Sequence, residues 1–63
     1  MTDTIARLDD FTATMIAEGV EEATYDQQVE AWQYLHDTGL AYRLQGWFGR
    51  TARSLIAEGI ITE

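Results

Sequence analysis

Thr24-Tyr25-Asp26-Gln27-Gln28-Val29-Glu30-Ala31-Trp32-Gln33-Tyr34-Leu35-His36-Asp37-Thr38-Gly39 carries a helix start, a helix stop and one apolar face between them, and its reading decides the fold. Thr24 and Gln27 have the spacing of a capping box, in which a Thr hydroxyl and a Gln side chain satisfy backbone N–H groups that a helix leaves free. Gly39 can take the left-handed conformation that ends helices, and Leu40 directly after it suits the apolar contact that accompanies such ends. At about 100° per residue, Tyr25, Val29, Trp32 and Leu35 share a face, with His36 inside the same arc. His36 is therefore expected to be a half-buried aromatic. Asp26, Glu30, Gln33 and Asp37 stack along the flank as an acidic stripe. The pattern predicts a helix over about 25–38.

Upstream, Ile5, Leu8, Phe11, Met15 and Ile16 fall within one arc, with Arg7, Asp9, Asp10 and Glu18 off it. That predicts a helix over about 4–18, capped by Asp3 or Thr4 and stopped at Gly19. Val20 to Ala23 reads as a short acidic connection. Downstream, Leu44, Trp47, Phe48, Ala52, Leu55 and Ile56 keep helical spacing up to Gly59, which predicts a third helix over about 41–58. Gly46 and Gly49 each cost a helix interior roughly 1 kcal/mol relative to Ala, so either they admit a close neighbour or the helix breaks there. The fold class is all-α, a compact bundle of about three helices forming a single domain over residues 1–63. No internal repeat, low-complexity segment or separating linker is read. With a small core and no covalent staple, the chain is expected to form a homo-oligomer.

Eleven Asp and Glu stand against four Arg, a formal net charge of −7. Residues 1–37 hold nine acids and one Arg, whereas residues 38–63 hold two acids and three Arg. Nucleic-acid binding is disfavoured by the total. Absence of Cys and a single His remove disulfide frameworks, thiol chemistry and the usual zinc sites, and no cofactor is expected. No apolar run approaches a membrane span, and Met1-Thr2-Asp3-Thr4 does not open a secretion signal, so a cytoplasmic location is expected.

Chemistry-bearing groups are few. His36, Ser54 and a carboxylate could be written as a hydrolytic triad, but the sequence has no strained nucleophile turn and no oxyanion donors. Asp26 with Glu30, or Glu18 with Glu22, could share a divalent ion, although such pairs are ordinary on helix surfaces. Arg43, Gly46, Arg50 and Arg53 fall on one side of the predicted third helix, a positive stripe interrupted by a residue without a side chain. Tyr34 and Tyr42 stand off their apolar arcs, and an aromatic beside Arg is the composition of interaction hot spots. The interface candidates are therefore Tyr42, Arg43, Gly46, Gly49, Arg50 and Arg53, facing Asp26, Glu30 and Asp37 of a neighbouring copy or an acidic surface on a partner.

The run from Asp37 to Gly59 resembles the C-terminal half of a group of very small tailed-bacteriophage proteins, whose pattern reads D-T-G-L-A-x-x-L-Q-G-x-x-G-R-x-A-x-x-L-I-x-x-G. The matching positions include Gly39, Gln45, Gly46, Gly49 and Arg50, while Tyr42 and Trp47 stand at variable ones. Residues 24–36 are similar to the preceding helix in pattern only. The resemblance implies a phage-encoded accessory protein in the cytoplasm of the host bacterium. Joined to the charge layout, it leads to the expectation of a non-enzymatic protein that binds itself and a host or phage protein. The alternatives are a nucleic-acid-associated or nucleotide-sensing protein using the Arg face, or a small virion or scaffold component.

Overall fold

A computed structural model describes residues 8–63 as three α-helices: α1 over Asp10–Ala17, α2 over Tyr25–Asp37 and α3 over Gly46–Ala57. The capping box forms as expected: Thr24 Oγ1 accepts from the Gln27 N–H at 3.1 Å and Gln27 Oε1 accepts from the Thr24 N–H at 2.9 Å. α1 begins later than the pattern predicts. Asp9 has extended backbone and its carboxylate accepts the Thr12 N–H at 2.8 Å, so it occupies the cap position. The expected cap at Asp3 or Thr4, the apolar Ile5 and the off-face Arg7 lie outside the described residues.

The predicted third helix is divided. Leu40–Tyr42 forms a 3₁₀ turn, Gln45 is extended, and α3 starts at Gly46. In one continuous helix residues 42 and 49 would stand about 10 Å apart along the axis. Here a Cβ built on Gly49 would lie 3.3 Å from Tyr42 Cδ1 and 3.6 Å from the Ala41 carbonyl oxygen, so the chain doubles back on itself. The break buries Ala41 and lays the Tyr42 ring against the bare backbone of Gly49. Both possibilities for the two glycines hold: the helix breaks just before Gly46, and Gly49 admits the close neighbour.

The buried core comprises Ala13, Ile16, Ala31, Trp32, Leu35, Ala41, Phe48, Ala52 and Ile61. Each element contributes a buried alanine, Ala13, Ala31, Ala41 and Ala52 in turn, a side chain small enough for backbones to approach. Trp32 sits at the centre of an aromatic group, 6.2 Å from Trp47 edge to face and 6.0 Å from Phe48, with Trp47 and Phe48 stacked at 4.0 Å. Two residues expected inside are not. Phe11 is 71% exposed, because Ala13 and Ile16 turn the buried side of α1 away from it. Tyr25 is 67% exposed, on the expected face of α2 but at its first position, beyond the reach of the core.

α1 and α2 run antiparallel, with the Tyr34 hydroxyl donating to Asp10 at 2.8 Å. α3 is antiparallel to α2 as well, since His36 meets Tyr42 near one end while Tyr25 and Val29 face Leu55 and Ile60 near the other. The bundle therefore has two distinct ends. One gathers the end of α1, the start of α2 and the end of α3.

The two outer helices end in nearly the same words, Ile16-Ala17-Glu18-Gly19-Val20 and Ile56-Ala57-Glu58-Gly59-Ile60. The shared word is too brief to be a repeated structural unit. Among the described residues no helix is long and apolar enough to cross a membrane.

Candidate functional site

The connection between α2 and α3 sets out a small polar cluster. The rings of His36 and Tyr42 meet edge to face, and Tyr42 Oη lies 2.6 Å from His36 Nδ1. This contact and the Gly49 backbone hold Tyr42 in place while leaving it 43% exposed. Arg43 follows as the cap of the 3₁₀ turn, so it is not part of α3 and the predicted single-helix Arg stripe is corrected. Arg50 does stay near Gly46: its Nη1 would be 3.1 Å from a Cβ placed there. Tyr42, Arg43, Gly46 and Arg50 thus gather where α3 begins. Arg53 does not join them; it forms an exposed ion pair with Glu63 at 3.7 Å. Among the described residues Arg43 and Arg50 have no acidic partner within ion-pair distance.

α3 carries its charges against its own dipole. Its first turn has no acidic residue, Gln45 makes no side-chain cap, and the Arg50 guanidinium leans over that positive end. At the negative end the cap is Glu58, and no basic residue occupies the last turn. Each mismatch of this kind costs an exposed helix about 0.3–1 kcal/mol. An acidic group at the start of α3 and a basic one at its end would each relieve it.

The acidic stripe of α2 is not one uninterrupted solvated face. The Gln33 side-chain amide pairs with the backbone of Thr62, donating to its carbonyl at 2.7 Å and accepting its N–H at 2.9 Å. Gln33 also donates to Asp37 at 3.0 Å, so the centre of the stripe is occupied by the C-terminal segment. Asp26 and Glu30 stay exposed beyond it. Tyr34, expected off the apolar arc, ties α2 to α1, and its bond to Asp10 pushes the phenol above its ordinary value of 10.0. The Thr12 backbone N–H, helped by the Thr12 side chain, holds Asp9 below 3.8.

A groove of about 120 Å³ opens between α2 and α3, lined by Tyr25, Gln28, Val29 and Trp32, by Thr51 and Leu55, and by Ile60. Beside it, at the start of α2, lies a shallow polar hollow lined by Glu22, Ala23, Thr24 and Gln27. No hydrogen bond joins His36 to Ser54 among the described residues, and no cluster of three or more His, Asp or Glu there is arranged to hold a metal ion. The surfaces with distinctive chemistry are the cationic start of α3 and this groove.

A family model described as a domain of unknown function, DUF7417, matches residues 5–63. The chain belongs to that family. The match takes in α1 as well as the segment from Asp37 to Gly59. No curated protein matches the chain, and no solved structure does.

Sequence reasoning misses three features of this surface. The Gln33 to Thr62 pairing spans 29 positions and has no periodic signature. The groove depends on where Ile60 lands after α3 ends. The dipole mismatch is readable only when α3 is known to start at Gly46, although Glu58 beside Gly59 is visible in the sequence.

Proposed function

We propose that this is a non-enzymatic bacteriophage accessory protein that works in the cytoplasm of the infected host by protein–protein contact, as a homo-oligomer that also engages a host or phage protein. The observation carrying the reading is the start of α3, where exposed Arg43 and Arg50 stand beside the half-exposed Tyr42 without an acidic partner among the described residues, over a helix end without a side-chain cap. Such a group fits a carboxylate surface. The guanidinium fork holds a carboxylate through two parallel bonds, and the positive helix end adds to the attraction. Phage origin rests on the resemblance of residues 37–59.

Charge reversal tests the reading. Arg50→Glu should weaken self-association in light scattering, by under about 1 kcal/mol if the contact stays wet and about 2–5 kcal/mol if it is buried. Adding Glu30→Arg should restore association if the acidic surface belongs to a second copy. If the single change weakens capture of a partner from infected cells and the double change restores nothing, the surface belongs to that partner. If Arg50→Glu leaves both assembly and capture intact, the reading fails.

A further inference from the structure

We infer that the groove between α2 and α3 is a docking site for a cationic amphipathic segment of another protein, which inserts one large apolar side chain beside Tyr25 and sets Lys or Arg around it. The inference concerns the opposite end of the bundle from Arg43 and Arg50 and does not rest on their role.

The groove presents helical anchoring positions on its own wall. Tyr25, Val29 and Trp32 stand at i, i+4 and i+7 on α2, Leu55 faces them from α3, and Ile60 closes the side where the chain turns back. Its volume of about 120 Å³ is somewhat below the roughly 150 Å³ that holds a benzene ring, so it takes one side chain of the Leu or Met class. Tyr25, at 67% exposure, is the one large apolar group at the mouth, and covering it is the gain on offer.

Charge selects the occupant. Glu18, Glu21, Glu22, Asp26 and Glu58 all lie at this end of the bundle, all exposed and none in an ion pair among the described residues. The negative ends of the α1 and α3 dipoles lie here, and neither helix has a basic residue in its last turn. The one positive end, the start of α2, is capped by Thr24 and Gln27 and carries Asp26 in its first turn, so the carboxylates set the sign. Arg50 and Arg53 leave α3 on sides other than the one that carries Thr51 and Leu55. With a screening length of about 8 Å at physiological salt, carboxylates within a helical turn or two of the groove act on whatever enters it. Nucleic acid and anionic lipid are repelled from this end. A second copy brings a further net charge of −7, and among the described residues the aromatic beside its unpaired arginines, Tyr42, is already held by His36 and Gly49 and is not free to insert as an anchor. A foreign segment with an apolar anchor and a basic flank satisfies both features of the site.

The test is titration of the isotope-labelled protein with a synthetic helical peptide built of Leu and Lys, with leucines at i, i+3, i+4 and i+7, at physiological salt. The expected result is shifts centred on the amides of Tyr25, Val29, Leu55 and Ile60 and on the Trp32 indole, with none from the same peptide carrying Glu for Lys. Tyr25→Ala, a change at an exposed side chain, should raise the Kd about tenfold or more. Glu58→Lys should also raise the Kd while leaving the unfolding midpoint unchanged or higher, since it removes a charge that opposes the α3 dipole. The inference is overturned if no shifts appear, or if they spread over the acidic surface and ignore Tyr25→Ala. It is equally overturned if the groove signals move with concentration of the protein alone, which would make the occupant a second copy.

Discussion

The ends of α1 and α3 share the words Ile-Ala-Glu-Gly and share their hydrogen bonds one for one. Glu18 N–H reaches the Thr14 carbonyl at 2.9 Å, and Glu58 N–H the Ser54 carbonyl at 3.0 Å; Gly19 and Gly59 each reach the isoleucine three back at 3.0 Å. Val20 returns to Met15 at 3.1 Å, and Ile60 to Leu55 at 2.9 Å. Both glycines hold the left-handed backbone, at φ 80° and 77°. The burial is nonetheless opposite. Ile16 is buried and the chain beyond it leaves the core, with Val20 64% exposed. Ile56 is only half-buried, whereas the chain beyond it returns, with Ile61 1% exposed. Identical local instructions thus make identical turns. The second residue past the glycine, Glu21 in one case and Ile61 in the other, decides whether the chain goes to water or to the core.

That contrast is broken most forcefully at the buried end. Ile61→Ala should cost about 2–5 kcal/mol in urea unfolding, as deletion of a buried branched side chain does, while Val20→Ala should stay within about 0.5 kcal/mol. Gln33→Ala, which removes the pairing with Thr62, should cost about 1 kcal/mol and speed amide exchange at Thr62 but not at Val20. Equal losses at Ile61 and Val20 would show that the two ends are packed alike.

The shared turn is sharpened by Gly19→Ala and Gly59→Ala. Left-handed backbone costs an L side chain about 1–2 kcal/mol, and a Cβ at either position meets nothing within 4 Å, so the two losses should be nearly equal. A loss at Gly59 several times that at Gly19 would mean that the turn is held by its tertiary surroundings and not by its own bonds.

The smallest effect distinguishes the start of α1. Asp9 has a folded value below 3.8, so its contribution is full above that pH and fades as pH falls through the depressed value. Tyr34 has a folded value above 10.0, so the stability from its bond to Asp10 is present below pH 10.0 and is lost as pH rises through the raised value. Amide protection in α1, taken relative to the intrinsic exchange rate at each pH, should fall at both extremes, and Tyr34→Phe should flatten the alkaline limb alone. If the alkaline limb survives in Tyr34→Phe, the bond to Asp10 is not its source.

Legibility follows range. The α2 capping box, its stop at Gly39 and the face carrying Val29, Trp32 and Leu35 are readable because each is a relation among residues a turn or two apart. Phe11 is misplaced by periodicity because α1 is only eight residues long with apolar groups on several sides, so the choice of buried face falls to α2. The spacing of Leu40, Leu44, Trp47 and Phe48 imitates a helix across a break that only the contact of Tyr42 with Gly49 explains. Of the interface candidates, Tyr42, Arg43, Gly46 and Arg50 come together, while Arg53 turns to Glu63.

By itself, the sequence determined that this chain is helical, where α2 starts and stops, how the ends of α1 and α3 are turned, and that its charge is divided unevenly along its length. Those properties rest on interactions that close within a few residues, so the local words suffice. Only the tertiary structure decided which of two identical turns leads inward, that Gln33 holds the C-terminal segment against α2, and that α3 begins at Gly46 with an Arg at its positive end and a Glu at its negative one. Each of these depends on groups distant in the chain competing for the same small core, a competition that a pattern of neighbours does not record.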